Sequence, residues 1–416
     1  DFCLSRGLGD VYKRQHLQYP QMSKLLFDIK QGRLKQLKSL KVLSVVALAG
    51  AAGIALASCG GGKAEKVKIF LGVQQDNDPT SISTFRILDS LKDELNFEYD
   101  YKVLNARDSV ANLNEFNQRL DLGYKGIISM ADLDTAQAEE LIDNCETNQA
   151  FYVGYKSDMP NAMRSDKVKN SPYYLGSTSD GELDWSLRAQ RLFDSISKST
   201  DRKIVLASFA ANYFPNVTVA LNKFKGLVTE WNASHPDDQF TYGSFNDGAD
   251  TWTCKFGPLA DAEKTTLKNE GVEAIVAVNA VAKYVMPNLD PSVHVYNVGY
   301  DSTYDNQFGA DKQLRCQGGS PSDHIILPLI RILKAVNGAD AIKPENKIVV
   351  GNYIYMQSAD DLAKLSKVCI NFKEGHPFDA CLFTVDQAKS YLDKSDDELI
   401  ALTNSWTTEY VLGLNK

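Results

Sequence analysis

VKIFLGVQQDNDPTSISTFRILDSL (Val67–Leu91) opens with an unbroken apolar run and closes with apolar residues at helical spacing. Val67–Val73 has the pattern of a strand buried on both faces. Phe85, Leu88, Leu91 and Leu95 repeat every three or four residues, the mark of one helix face. Between them lies a polar loop, Gln74 to Asp78, ending in Asp-Pro. A buried strand, a polar turn and an amphipathic helix make one β-α unit, and the same unit recurs downstream.

FEYDYKVL reads as the next strand and VANLNEFNQRLDLG as a helix ended by Gly123. GIISM, the helix TAQAEELIDNCE and the strand AFYVGY follow. Repeated β-α units predict a parallel sheet with helices on both faces. The pattern pauses in a polar stretch between Lys156 and Tyr174 that contains Pro160 and Pro172. It resumes with a helix near 181–198, KIVLASFA, a helix near 217–231, FTYGSF, a helix over 260–270, EAIVAV and VHVYNVGY. A second series of similar length predicts a second domain of the same class. IILPLIRILKAV and KIVVGNYIYM are too little for a third domain and are expected to complete the first two. The last sixty residues carry helical patterns (ADDLAKLSKV, VDQAKSYL, DDELIALTN) and read as an appended cap.

The expected class is therefore α/β, with two Rossmann-like doubly wound sheets. The boundaries are 67–174 with 317–345 for an N-terminal lobe and 175–316 with 346–356 for a C-terminal lobe. Residues 357–416 are left as a helical extension.

The amino-terminal part reads as an address. Lys35, Lys38 and Lys41 precede an apolar run from Val42 to Ala57, shorter than the roughly 20 residues a membrane-spanning helix needs. A basic region, an apolar region and small residues at the cut define a signal peptide, expected over 22–58. Leu56-Ala57-Ser58-Cys59 resembles the lipobox of bacterial lipoproteins. That resemblance implies a lipid anchor on Cys59 and an extracytoplasmic location, with 59–66 as a tether free of large apolar side chains. GDVYKRQ (Gly9–Gln15) resembles the translation of a transposon end used in preparing sequencing libraries. Residues 1–21 are accordingly expected to be foreign, with Met22 as the start.

From Cys59 onward 36 basic residues face 50 acidic ones, a net charge of −14. That surface argues against a nucleic-acid partner. Besides Cys59, the exported part would hold Cys145, Cys254, Cys316, Cys369 and Cys381, an odd number. Cys369 and Cys381 are spaced to close a short loop, but sequence leaves the pairing open.

In open α/β sheets, ligands sit beyond the carboxyl ends of the strands. Those ends supply Gln75 and Asp78, then Asp132, then Tyr155 and Lys156. The second series supplies Asn212, Phe245, Asn279 and Asp301. Amides and carboxylates match the hydrogen-bonding of hydroxyls, and aromatic faces cover apolar ring faces.

The order of some of these residues is similar to type I periplasmic binding proteins of the ribose/galactose-binding and LacI-like superfamily, over about Val67 to Met356. VYNVGYDSTYD resembles the strand ending in Gly-aromatic-Asp, which implies that Asp301 bonds sugar hydroxyls. AIVAVNA resembles the strand whose terminal asparagine meets the ligand, implying Asn279. LRCQGG resembles the strand with a hinge glutamine, implying Gln317. Phe245 falls where that family places a ring against the sugar. Departures accompany these matches. Ala280 stands in place of an acid, Thr80 and Ser81 replace aromatics, Tyr155-Lys156 replaces Asp-Arg, and Lys223 stands for an arginine.

The resemblance implies two lobes joined by three crossover segments. It implies a monomer that captures a small carbohydrate-like ligand and delivers it to the permease of an ABC importer, with no cofactor. A ligand-presenting sensory receptor shares every one of these features except the partner, and a nucleoside-binding lipoprotein differs only in ligand. An enzyme finds less support, since the histidines have no metal-ligand spacing and there is no nucleophile elbow or P-loop. Ser322-Asp323-His324 is adjacent in sequence, which does not make a triad. Asp323 is expected in the first turn of the following helix. A DNA-binding repressor would carry a helix-turn-helix where the lipobox stands.

Overall fold

In the computed structural model the described residues are 65–105, 108–131, 133–156, 161–179, 181–211, 214, 216–245, 248–369 and 381–414. The expected artefact, signal peptide and Cys59 lie outside them, as do Asp132 and Asn212.

The first series gives β1 (Val67–Val73), α1 (Pro79–Leu91), β2 (Phe97–Val103), α2 (Ser109–Asp121), β3 (Gly126–Ser129), α3 (Thr135–Asn148), β4 (Phe151–Gly154), α4 (Asp166–Asn170) and β5 (Tyr174–Ser177). The strands form one parallel sheet in the order β2-β1-β3-β4-β5. The apolar run that opened the sequence is its central strand, with Ile69, Phe70, Leu71 and Val73 buried. α1 starts earlier than its apolar spacing suggested. Asp78 caps it by accepting from Thr80 N at 2.9 Å and Ser81 N at 3.2 Å, and Pro79 occupies the first turn, where no N–H is missed.

The second series gives α5 (Gly181–Ile196), β6 (Lys203–Phe209), α6 (Val217–Ser234), β7 (Thr241–Tyr242), β8 (Thr251–Cys254), α7 (Asp261–Asn269), β9 (Ala274–Ala277), α8 (Ala282–Val285), β10 (His294–Asn297) and β11 (Leu314–Gly319). After it come α9 (Ile326–Val336), β12 (Ile354–Met356), α10 (Ala359–Leu365), α11 (Val385–Ser390), α12 (Asp396–Ser405) and α13 (Thr408–Gly413). The second sheet runs β12-β11-β10-β9-β6-β7, with β8 also on β6 and β12 the antiparallel strand.

The protein is thus α/β with two doubly wound sheets, and the chain passes between them after β5, after β11 and before β12. Tyr174–Ser177, which straddles the expected change of lobe at 174/175, pairs with β4 and is the edge of the first sheet. Gln317, expected in the N-terminal lobe, lies on β11 in the second sheet opposite Met356. β8 and α13 had no counterpart in the sequence reading, and FTYGSF yields only a two-residue strand.

The third passage is held against β5. Ser177 N donates to Lys347 O at 2.6 Å, and Val349 N donates to Ser177 O at 3.0 Å. A Cβ on Gly176, whose φ is +98°, would stand 2.0 Å from Lys347 O, so only glycine fits.

The last residues are more than an appended cap. Leu365, Cys369, Leu382, Phe383, Leu399, Trp406 and Val411 are buried in the same core as β1 and α9. Arg331 on α9 fixes them electrostatically. Its guanidinium meets Asp396 at 2.8 and 2.9 Å, Leu175 O at 2.9 Å and Asn346 O at 2.8 Å. Trp406 stacks on His324 at 5.4 Å, and Thr408 Oγ1 accepts from Tyr355 N at 3.1 Å, covering the free edge of β12.

Arg331→Met should lower the unfolding free energy by about 3–5 kcal/mol, because it strands Asp396 and two carbonyls without their donor; urea unfolding measures it. Gly176→Ala should cost about 2–4 kcal/mol through positive-φ strain and the clash with Lys347 O. A Tm within 2 °C of wild type in the latter variant would contradict this packing.

Candidate functional site

Strand order reverses between β1 and β3 in the first sheet and between β6 and β9 in the second. A cavity of about 410 Å³ lies beyond the carboxyl ends of strands from both sheets. β1 and its loop contribute Gln74, Gln75 and Asp78, β3 contributes Met130, and β4 contributes Lys156. The opposite wall comes from Ala280 after β9 and from Val298, Gly299 and Tyr300 after β10. Gly318, Gly319 and Ser320 line it from the second passage, Tyr353 from the third, and Arg188 from α5.

Three of the expected residues, Gln75, Asp78 and Lys156, line this cavity. Asp301 and Gln317 stand behind its wall. Asp301 accepts from Thr303 N at 3.0 Å, and its own N–H meets Gln317 Oε1 at 3.4 Å. Gln317 is fully buried, with its Nε2 lacking a partner.

Tyr155, Asn279 and Phe245 are placed elsewhere. Tyr155 is buried beneath the floor, its hydroxyl donating to Ser322 O at 3.0 Å. Asn279 Oδ1 accepts from Phe209 N at 3.0 Å, which ties β6 to the loop after β9. Phe245 borders a separate, more open hollow of about 600 Å³ with Trp252, Lys255 and Glu263. That hollow is the larger, but it lies beside β8 rather than between the two sets of strand ends, so the smaller cleft is the better site. Asp132 and Asn212 lie outside the described residues.

Arg188 and Tyr353 were not foreseen. Arg188 holds Asp184 at 2.7 Å and lies over the rings of Trp185 at 4.5 Å and Tyr353 at 4.9 Å. An Asp and an Arg four apart on a helix look like a surface ion pair in sequence. Only folding brings the third passage across them.

Lys156 is a buried amine at the floor of the cleft. It has φ +49°, and its ammonium donates to Ser320 O at 2.7 Å. Burial pushes its pKa down to about 8, while Asp323, Asp78 and Asp184 act in the opposite sense. Beneath it, Asp323 is raised to about 6 by burial. The carboxylate of Asp323 accepts from Leu382 N at 2.7 Å. It sits in the first turn of the 3-10 helix that leads into α9, and it also ties down the C-terminal segment. Burial holds His324 neutral, its pKa down near 3, with Nδ1 3.2 Å from Ser320 Oγ. Ser322 Oγ donates to Thr80 O at 3.1 Å, so these three neighbours form packing contacts, not a triad.

Among the described residues no group of His, Cys, Asp and Glu is arranged to hold a metal. All five described cysteines are free thiols, Cys369 and Cys381 included. No described helix is long and apolar enough to cross a membrane.

No family model matches the chain, and no curated protein does. Solved structures do match. A sugar ABC transporter protein from Yersinia enterocolitica subsp. enterocolitica 8081 is 12% identical, with a TM-score of 0.50 over 85% of this chain and 96% of that one. A twin-arginine translocation pathway signal protein from Burkholderia phytofirmans is 10% identical, with a TM-score of 0.50 over 71% of this chain and 91% of its own. An ABC transporter solute-binding protein from Burkholderia graminis C4D1M, in complex with D-arabinose, is 11% identical with a TM-score of 0.49, covering 71% and 96%. The fold is that of the type I periplasmic binding proteins.

The lowered pKa of Lys156 has a defined sign in stability. The fold disfavours its ammonium form, so the penalty is full below pH 8 and relieved as pH rises toward the unfolded value of about 10.4. Wild type should therefore gain stability relative to Lys156→Met over that window, by up to about 1.4 kcal/mol per pH unit. Urea unfolding of both proteins at pH 7, 8, 9 and 10 checks it, and a flat difference would contradict the burial of this amine.

Proposed function

We propose that this protein is an extracytoplasmic solute-binding protein that captures a carbohydrate-like ligand between two lobes. The observation that carries the reading is the 410 Å³ cleft, with walls from the strand ends of both sheets and from two of the three passages. Its polar groups are amide, carboxylate, ammonium and guanidinium, and its apolar groups are Tyr300, Tyr353 and Met130. That mixture suits a ring bearing hydroxyls, with Gln74, Gln75 and Asp78 reading one edge and the tyrosine rings covering a face.

A ligand that bonds both walls favours the arrangement in which the walls approach, and so shifts the population toward closure. Closure removes water from those bonds, and an analogue lacking a hydroxyl leaves a buried partner unsatisfied. In this reading Cys59 carries the lipid anchor, the signal peptide ends at Ser58, and the closed monomer hands its ligand to an ABC permease. The anchor rests on Leu56-Ala57-Ser58-Cys59 and the transport role on the fold together with the cleft. The protein performs no chemistry on its ligand.

Titration of the purified chain with a panel of neutral and acidic sugars and nucleosides should give saturable binding, with a smaller radius of gyration in X-ray scattering when ligand is bound. Arg188→Met should weaken that binding by about 1–3 kcal/mol, the worth of a buried charge-assisted hydrogen bond. A panel without any binding would overturn the reading.

A further inference from the structure

Beside the main cleft is a second chamber of about 90 Å³, lined by Asn77, Pro79, Ile82, Ser83, Arg86, Tyr300 and Ser302. Pro79 and Tyr300 border both spaces, so the chamber is a side pocket of the cleft. Arg86 projects from α1 in the first lobe, and Ser302 follows β10 in the second.

The guanidinium of Arg86 is out of balance with its surroundings. Its Nη1 is shielded from solvent and has no hydrogen-bond partner, and among the described residues Arg86 forms no ion pair. None of the carboxylates on the neighbouring segments is ion-paired to Arg86 among the described residues: Asp78 caps α1, Asp301 accepts from Thr303 N, and Asp305 accepts from Tyr300 Oη at 3.1 Å through Oδ2 while its Oδ1 has no partner. The side chains of Asn77, Ser83 and Ser302 likewise make no hydrogen bond among the described residues. Leaving a charged donor shielded and unpaired is expensive, and buried polar groups are ordinarily satisfied. Four polar side chains with unused capacity therefore face a space the size of a few water molecules.

We propose that Arg86, with Asn77, Ser83 and Ser302, receives an oxyanion substituent of the ligand, a carboxylate or a sulfate ester. The ligand is then an acidic saccharide, with its ring in the main cleft and its charge in the side chamber. This assignment rests on the carbohydrate-binding reading above and narrows it. The chamber has room for a carboxylate or a sulfate. The guanidinium supplies paired donors matched to two oxygens of either group. Because the chamber takes Arg86 from one lobe and Ser302 from the other, it adds bonds that exist only when both walls meet the ligand.

Calorimetric titration tests this with glucuronic and galacturonic acids, disaccharides containing them, 6-sulfated glucose and galactose, and the neutral parents of each. An acidic member should bind at least tenfold tighter than its neutral counterpart, and the carboxylate and sulfate arms show which group the chamber prefers. Arg86→Met should abolish that preference while leaving neutral affinity within about twofold, and Arg86→Lys should keep part of it. Ligand-free Arg86→Met should also melt at a higher temperature than wild type, since it removes an unpaired charge. Equal binding of acidic and neutral sugars, or a preference that survives Arg86→Met, overturns the assignment of the chamber alone. Failure of every sugar to bind overturns the carbohydrate reading and this one with it.

Discussion

The guanidinium of Arg331 is the point where the architecture is fastened. Three segments far apart in sequence converge on it: Leu175 O at the edge of the first sheet, Asn346 O in the third passage and the Asp396 carboxylate of α12. An arginine in a core is tolerated only when its donors are used and its charge is answered, and both conditions hold. With those three segments pinned, the third passage lies against β5 tightly enough to demand Gly176, and Lys347 reaches Ser171 O at 2.6 Å. The same passage goes on to present Tyr353 to the cleft. The shape of the site thus depends on an ion pair that does not touch it.

The sheets were legible because their strands are short continuous apolar runs separated by helical periodicity, as in Val67–Val73, Gly126–Ser129 and Ala274–Ala277. β8 was not, since Thr-Trp-Thr-Cys alternates polar and apolar over only four residues and is flanked by polar chain. The expected change of lobe at 174/175 cuts through β5 because Tyr-Leu-Gly-Ser, with two small residues, carries little strand signal; its pairing comes from β4 and Ile348. The C-terminal extension looked peripheral because its helices are short and polar. Its core contribution comes from dispersed residues such as Trp406 and Leu382, whose burial depends on what they meet in space.

The candidate site divides along the same line. Gln75, Asp78 and Lys156 follow from the rule that ligands collect beyond strand ends. Tyr155 fails beside Lys156 because consecutive residues at a strand end point to opposite sides, and its ring goes into the core. Asn279 has the right position but spends its amide oxygen on the backbone of Phe209. Arg188, Tyr353 and Arg86 come from helices and a passage, where position in sequence says nothing about what lies opposite.

The segment after β12 also has a mechanical consequence. α10 packs on β12, α11 reaches the first lobe through the Lys389–Glu94 ion pair, α12 is held by Arg331, and α13 returns to β12. Asn352 Nδ2 bonds Asn404 O at 2.8 Å alongside these, and Trp406 lies over His324 in the second passage. The joint is therefore laminated, with one layer of chain glued over another. Separating the layers would break these bonds together, which ties the last helices to the passage that presents Tyr353.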